Sequence, residues 1–158
     1  MGEEARDLAE TQVCPECGAA RHGEDTCTDD FHQMLAWEAE NPTFWEVHHM
    51  MVLCYHLQHP SLYSPDGLTW ATHLLAEFVE HGVTTQEVRR RNRDTLDSSK
   101  RKWKVTGTND SHGIYERPID WEVTAADVIA GGMENYCENV VGWARATLKA
   151  LKASGNLL

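Results

Sequence analysis

The sequence predicts an all-α fold: an antiparallel bundle of about five helices, preceded by a small N-terminal segment that contains cysteines. Two observations favour this fold. Apolar residues recur every three or four positions over much of the chain, and capping residues, prolines and glycines mark the ends of these stretches. With 158 residues, 41% of them apolar, the chain is long enough to bury a core without disulfide staples.

The first two predicted helices are joined by a very short link, so we expect them to be antiparallel neighbours. The first covers residues 28–40. The second, at 43–58, is the central helix: Thr43 and Glu46 form a capping box at its start, and Pro60 ends it. Neither side of this helix is plainly polar, which indicates contacts around most of its circumference. One side holds Val47, Met50, Met51, Cys54 and Leu57.

The third predicted helix has clear signals at both ends. It extends from Pro65 to His81, with Ser64 as its N-cap and Gly82 as its C-terminal glycine. Its apolar positions form one stripe, which predicts that it packs against the central helix.

The fourth and the last predicted helix flank an irregular stretch at residues 99–123, and a loop of that length is usually functional or mobile. The fourth helix starts after Thr84 and runs through about residue 98. The last starts after Thr124 and runs toward Leu151, with a kink or a close helix crossing at Gly131-Gly132. Its predicted core positions are Met133, Tyr136, Cys137, Val140, Ala144, Leu148 and Leu151.

A cysteine motif near the N-terminus predicts a zinc site. Cys14 and Cys17 are separated by two residues and followed by a glycine, the pattern of a zinc knuckle, whose tight turn brings two thiolates onto one ion. Cys27 supplies a third ligand. His32, on the first helix, is predicted as the fourth because a helix orients its side chains, and His22 is the alternative. Four protein ligands would make this zinc structural.

Other interpretations of the cysteines stay open. Cys14 and Cys17 would form a redox pair in a thioredoxin-like protein, although no βαβ pattern surrounds them. The three thiols would also be compatible with a reduced, metal-free state. The chain has five cysteines, so they cannot all pair as disulfides. Cys54 and Cys137 fit the role of small core residues.

The histidines of the central helix indicate a second, divalent-metal site. His49 and His56 lie two turns apart on one side of this helix. His73 and Glu77 of the third helix would complete a coordination sphere with an open position between the two helices. The alternative is that these histidines are hydrogen-bonded side chains, buried or at the helix edge, since a histidine alone is weak evidence for a ligand.

The charge distribution argues against a general nucleic-acid binder. The net charge is −11, although residues 86–104 form a basic cluster. This cluster would bind phosphate groups through its arginines, with Trp103 as a stacking surface. The alternative is a solvated helix face that balances acidic neighbours.

The expected organisation is a flexible acidic lead at residues 1–12, followed by one helical domain at 13–158 with the zinc knuckle at 14–32. No apolar run approaches the roughly 18 residues that a membrane span needs, and the N-terminus lacks the pattern of a signal peptide. We therefore expect a cytoplasmic protein that does not act at a membrane. Its oligomeric state stays open.

The chain resembles an uncharacterised bacterial family that is described as a domain of unknown function. The resemblance covers about residues 14–150 and implies a zinc knuckle joined to helices, without an activity. It is carried by CPECG at 14–18, Cys27 with FHQMLAWE at 31–38, HHMMVLCYHLQHPS at 48–61 and VTAADV at 123–128.

A weaker resemblance is to the DinB-like four-helix bundles, some of which are metal-dependent thiol transferases or hydrolases. The up-and-down helices and the segment WEVTAADV at 121–128 carry it. The metal triad of that fold includes two histidines on a late helix, whereas the last helix of this chain contains none. Its catalytic residues are therefore not carried over.

Three classes of function follow from these patterns. The first is a zinc-stabilised helical adaptor or regulator with a protein or small-molecule partner. The second is a metal-dependent enzyme with a histidine-lined pocket between the second and third helices. The third, which the charge disfavours, is a nucleic-acid binder.

Overall fold

Six α-helices and one short β-hairpin make up the regular structure in the computed structural model, which describes residues 11–22, 26–91 and 104–156. The strands are β1 (Thr11–Val13) and β2 (Ala20–His22), paired antiparallel with Thr11 opposite His22. The helices are α1 (Cys27–Glu40), α2 (His48–Leu57), α3 (Pro65–His81), α4 (Thr85–Arg91), α5 (Ala125–Gly131) and α6 (Tyr136–Ala153). The helical fold expected from the sequence is confirmed.

The first three helices run alternately up and down. Phe31, near the start of α1, stacks on Tyr55 near the end of α2, whereas Glu38, near the end of α1, contacts His48 at the start of α2. In the same way His49, early in α2, stacks on Phe78, late in α3. The short links between these helices therefore produce antiparallel neighbours.

The core lies where α2, α3 and α6 pack together, with α1 and α5 packed against each other beside it. Met51 and Leu57 of α2, Leu75 of α3, and Trp143 and Leu151 of α6 are completely buried there. Val47 and Cys54 are buried and Met50 is half-buried, so the central helix is enclosed as expected.

Helix α3 matches its prediction at both ends. Ser64 Oγ accepts a hydrogen bond from the backbone N–H of Gly67, which satisfies one of the free donors of the first turn. Gly82 ends the helix with a φ angle of 60°, in the left-handed region that glycine adopts without strain.

The start of the central helix was predicted wrongly. A 3-10 helix (Pro42–Val47) occupies the expected first turn, and α2 begins at His48, so no capping box forms at Thr43. The ring of Phe44 packs against Tyr136, with centroids 4.9 Å apart. This contact with α6 anchors the segment, and tertiary packing overrides the local capping signal.

The last helix is divided rather than kinked. Helix α5 ends at Gly131, and Gly132 has a φ angle of 79°. A 3-10 turn (Met133–Asn135) follows before α6 begins. Because the helical register restarts at Tyr136, Met133 is 40% exposed instead of buried, and Trp143 occupies the core.

The described part of the irregular stretch, residues 104–123, crosses the turn between α2 and α3. Thr106 forms an antiparallel bridge with Tyr63, and the backbone N–H of Gly113 donates to the carbonyl of Tyr63 at 2.7 Å. The hydroxyl of Tyr115 donates to the carbonyl of Leu57. The segment is therefore tied to the end of the central helix.

Several expectations fall outside the described residues. They are the acidic lead, of which residues 1–10 are not described, most of the basic cluster, and Trp103. Within the described part of that cluster Arg89 and Arg90 are exposed on α4. The division into a lead at 1–12 and one domain at 13–158 stays a prediction. None of the described helices is both long enough and apolar enough to cross a membrane.

Candidate metal centre

The turn of the β-hairpin holds the first two thiols. The backbone N–H of Gly18 donates to the carbonyl of Cys14 at 2.9 Å, and Gly18 has a φ angle of 80°. The backbone N–H of Cys17 lies 3.5 Å from Cys14 Sγ. This is the tight, glycine-dependent turn that the CPECG motif predicts, and it directs both thiols to one side.

Cys27 is the first residue of α1. The preceding Thr26 is the N-cap: its side chain accepts from the backbone N–H of Asp29, and the Asp29 carboxylate accepts from the backbone N–H of Thr26. This capping box fixes where α1 begins. It places Cys27 Sγ 3.6 Å from Cys17 Sγ.

The fourth group is His59, which follows the C-terminus of α2. Its Nδ1 lies 2.6 Å from the carbonyl oxygen of Tyr55, one turn earlier. A carbonyl only accepts, so Nδ1 carries a proton, and Nε2 is the ring nitrogen left for a metal. His59 is 5% exposed, and Nε2 is buried without a hydrogen-bond partner among the described residues.

These four groups converge. The Sγ atoms of Cys14, Cys17 and Cys27 and a ring nitrogen of His59 all lie within 4.8 Å of one another. Four such ligands around one tetrahedral zinc, at about 2.3 Å for sulfur and about 2.0 Å for nitrogen, are separated by roughly 3.5–3.8 Å. The group can therefore hold a metal ion after small side-chain adjustments.

Arg21 of β2 supports this centre from one side. Its guanidinium donates to Cys27 Sγ at 2.8 Å and pairs with the carboxylate of Asp30 at 2.5 Å. Arg21 is held between the two groups, because Asp30 lies one turn after Cys27 on α1. A positive charge at this place offsets the negative charge of clustered thiolates.

The protons of the group are unevenly distributed. The hydrogen bond from the Cys17 thiol, with smaller contributions from His59 and Arg21, lowers the pKa of Cys27 to about 3 against the opposing effect of burial. The same hydrogen bond, together with burial, raises the pKa of Cys17 far above its ordinary value. Cys27 is therefore a thiolate at neutral pH, the form that binds metals.

His59 experiences opposing effects. Burial lowers the pKa of its imidazole, but the close approach of the Cys27 sulfur, the hydrogen bond to Tyr55 and the negative charge of Cys27 outweigh burial and raise the pKa to about 9. Nε2 is therefore drawn toward the sulfur atoms. A metal ion at this place would take the position of that proton.

The structure corrects the ligand set that the sequence predicted. It brings together Cys14, Cys17 and Cys27, as expected, but the histidine in the group is His59 and not His32. His32 is exposed on α1, and its ring lies beside Phe31. The side chain of the alternative ligand, His22, lies outside the described residues.

Spacing rules did not reveal His59 because it lies far along the chain from the cysteines. The antiparallel packing of α2 on α1 returns the end of α2 to the hairpin, and only this packing makes the two segments neighbours. One feature of the sequence could have pointed to His59. A histidine directly before Pro60 stands at a helix end, where its side chain is free to turn aside.

The residues of the expected second metal site do not lie around one cavity. His49 and His56 line a cavity of about 280 Å³ between α2 and α3. His73 is exposed and lines a different cavity, and Glu77 lines neither of them. Within the described residues the cysteine–histidine group is the one set of three or more such ligand atoms that converge.

The fold and this centre define a class: a helical protein with a Cys₃His group, near its N-terminus, that can hold a metal ion. The chain belongs to the family described as "Family of unknown function (DUF5946)", whose model matches residues 12–152. Neither the curated proteins nor the solved structures yield a match.

Proposed function

We propose that the chain is a structural-zinc protein, an adaptor or regulator that acts through a partner-binding surface of its helical bundle. Zinc is held by Cys14, Cys17, Cys27 and His59. The ion joins the β-hairpin, the start of α1 and the end of α2, three segments that are distant in sequence.

One observation carries the proposal: Nε2 of His59 is buried and has no hydrogen-bond partner among the described residues. Leaving a buried polar nitrogen without a hydrogen bond costs about 1–3 kcal/mol. Here the nitrogen points toward three thiols, and its ring is oriented by the carbonyl of Tyr55. A backbone carbonyl on the other ring nitrogen is the usual support for a histidine that ligates a metal.

The donor set supports zinc over other divalent ions. Thiolate and imidazole ligands suit zinc, whereas magnesium and calcium require oxygen ligands. Three cysteines and one histidine in tetrahedral arrangement are a common structural zinc site. Thiolates hold zinc only while they remain reduced, which supports a cytoplasmic location as part of this proposal.

The same donor set supports a structural role. Four protein ligands fill a tetrahedral zinc, so water or substrate has no open position. The ion then contributes folding free energy and takes no part in a reaction. The function is therefore carried out by the surface of the helical bundle. The partner, a protein or a small molecule, is not identified by this centre, and the acidic net charge disfavours nucleic acid.

Metal analysis of matched histidine variants tests the proposal. Purified protein is expected to contain one zinc per chain, and its cobalt-substituted form should show the absorption of a tetrahedral cobalt–thiolate site. His59→Ala should lower metal affinity at least tenfold, whereas His32→Ala should leave it unchanged. Metal-free protein, or loss of zinc in His32→Ala with retention in His59→Ala, would overturn the proposed ligand set.

The second candidate, a metal-dependent enzyme, requires another ion between α2 and α3. The cavity that contains His49 and His56 favours it, since both imidazoles face one space. The same metal analysis separates the candidates: two ions per chain, one of them lost in a His49→Ala/His56→Ala double variant, would support the enzyme.

A further inference from the structure

The cavity between α2 and α3 combines apolar walls with aromatic and imidazole rings. Its volume is about 280 Å³, near the lower end of the range for small-molecule pockets. Apolar contacts come from Val52 and Leu53 of α2, Leu74 of α3 and Val88 of α4. Tyr63 and Trp70 add aromatic surface. Such walls favour a small, largely apolar ligand.

One imidazole in the wall is oriented by a buried carboxylate. His48 Nδ1 lies 2.6 Å from Glu38 Oε1, and Glu38 is 1% exposed. The other oxygen of Glu38 accepts the hydroxyl proton of Tyr136 at 2.5 Å. A carboxylate that accepts on both oxygens fixes the tautomer of His48: Nδ1 carries the proton, and Nε2 is directed away from Glu38.

This arrangement is costly unless it serves a purpose beyond packing. A buried carboxylate loses its hydration, and a purely apolar contact between α1, α2 and α6 would be as stable or more stable. Glu38, Tyr136 and His48 come from three different helices, so the imidazole is held rigidly. His48 lines the cavity, and a binding site works best when its polar side chains are held rigidly.

A second imidazole has an unused polar atom. His49 Nδ1 is buried and has no hydrogen-bond partner among the described residues. Burial lowers the pKa of His49, so its ring is neutral at pH 7. His48 and His49 are adjacent, with ring centroids 5.6 Å apart. The cavity wall therefore combines imidazole rings with apolar and aromatic side chains.

The described residues do not complete a metal site around His48 and His49. Among the described residues their ring nitrogens do not converge with a third ligand atom, in contrast to the group around His59. Hydrogen bonding to an organic molecule is another role for polar side chains in the wall of an apolar pocket. A neutral imidazole with Nδ1 protonated accepts a proton or hydrogen bond at Nε2.

We propose that this cavity binds a small, weakly acidic aromatic alcohol of the phenol class. The ring of the ligand packs among Val52, Leu74 and Trp70, and its hydroxyl donates to Nε2 of His48. Glu38 and Tyr136 act as positioning residues, since they orient His48 without lining the cavity. This binding site is separate from the zinc centre and does not depend on the zinc proposal.

The first test compares two probes of nearly equal size, phenol and toluene, with zinc-loaded full-length protein. Titration calorimetry should give one phenol site per chain. Toluene, which lacks the hydroxyl, should bind about tenfold more weakly, the value of one hydrogen bond. In the ring-nitrogen NMR spectrum phenol should shift the signals of His48. No phenol binding at millimolar concentration, or equal affinity for both probes, would overturn the proposal.

Variants locate the site. His48→Gln should reduce phenol affinity about tenfold and leave toluene binding unchanged, because only the acceptor is removed. His81→Gln, an exposed histidine at the end of α3, is the matched control.

Val52→Phe should fill the cavity and abolish the binding of both probes, whereas Val79→Phe, also half-buried but outside the cavity, should not. Circular dichroism confirms that each variant is folded. Unchanged phenol binding in folded Val52→Phe would place the site elsewhere and overturn the proposal.

Discussion

Phe31 and Tyr55 stack with their ring centroids 4.5 Å apart and their planes inclined by 26°. Phe31 lies one turn after Cys27, and Tyr55 lies one turn before His59. The hydroxyl of Tyr55 is 3.4 Å from Thr28 Oγ1, and its carbonyl holds the ring of His59. This contact between α1 and α2 therefore places two members of the candidate metal centre, from different helices, next to each other.

Removal of the metal should destabilise the fold. Without the ion the close thiols lose their common partner, and the hairpin loses its tie to α1 and α2. We expect chelation, or Cys17→Ser, to cost about 3 kcal/mol or more of unfolding free energy. Denaturant unfolding with and without a chelator measures this. Cys137→Ser, at a half-buried thiol outside the group, is the control, and equal losses in both variants would contradict the prediction.

Arg21 should increase metal affinity although it is not a ligand. Its guanidinium donates to Cys27 Sγ and pairs with Asp30, so it stabilises the thiolate. Arg21→Gln should lower zinc affinity about tenfold, as a competition titration with a chromophoric chelator would show. The exposed Arg90 supplies the control, Arg90→Gln, which should bind zinc like the parent protein. A normal zinc affinity in Arg21→Gln would show that the hydrogen bond to sulfur has no effect.

Two glycine-to-alanine substitutions should change stability in opposite directions. An added Cβ meets no atom within 4 Å at either Gly82 or Gly142, so packing does not distinguish them. Gly82 has a φ angle of 60°, whereas Gly142 lies within α6. Gly82→Ala should cost about 1–2 kcal/mol, and Gly142→Ala should stabilise by about 0.5–1 kcal/mol. Thermal unfolding of both variants measures this, and shifts of the same sign would contradict it.

Acid should destabilise the protein partly through His56. Burial, with a smaller contribution from His59, lowers the pKa of His56 from 6.5 to about 4. Between these values the unfolded chain binds a proton that the folded chain does not. The contribution of His56 is therefore fully present above pH 6.5 and is lost as the pH falls toward 4, by roughly 3 kcal/mol.

His56→Gln isolates this effect from protonation of the metal ligands, which both proteins share. Unfolding free energies are compared at a series of pH values between 7 and 4. The difference between parent and variant should change by the amount expected for one titrating group. Parallel curves for the two proteins would show that His56 does not titrate differently in the folded state.

Local signals predicted the local structure well. The limits of α3 follow from Ser64, Pro65 and Gly82, because a cap is a hydrogen bond or a backbone angle within a few residues. The start of α5 after Thr124 follows for the same reason, because Thr124 and Asp127 form a capping box. The turn between Cys14 and Cys17 also depends only on adjacent residues. The capping signal at Thr43 did not predict the structure correctly. There the contact between Phe44 and Tyr136 accompanies a 3-10 helix in place of the expected first turn of α2.

By itself the sequence determined the helical class, the limits of several helices and the three cysteines of the candidate metal centre, since each depends on periodicity or short spacing. Tertiary structure alone decided which histidine joins them. His32 is close to Cys27 in sequence, but its position on α1 leaves it in solvent. His59 reaches the thiols because α2 packs antiparallel to α1. The Glu38–His48 pair likewise exists only through that packing, because an interaction between two helices depends on how they pack and not on spacing within either one.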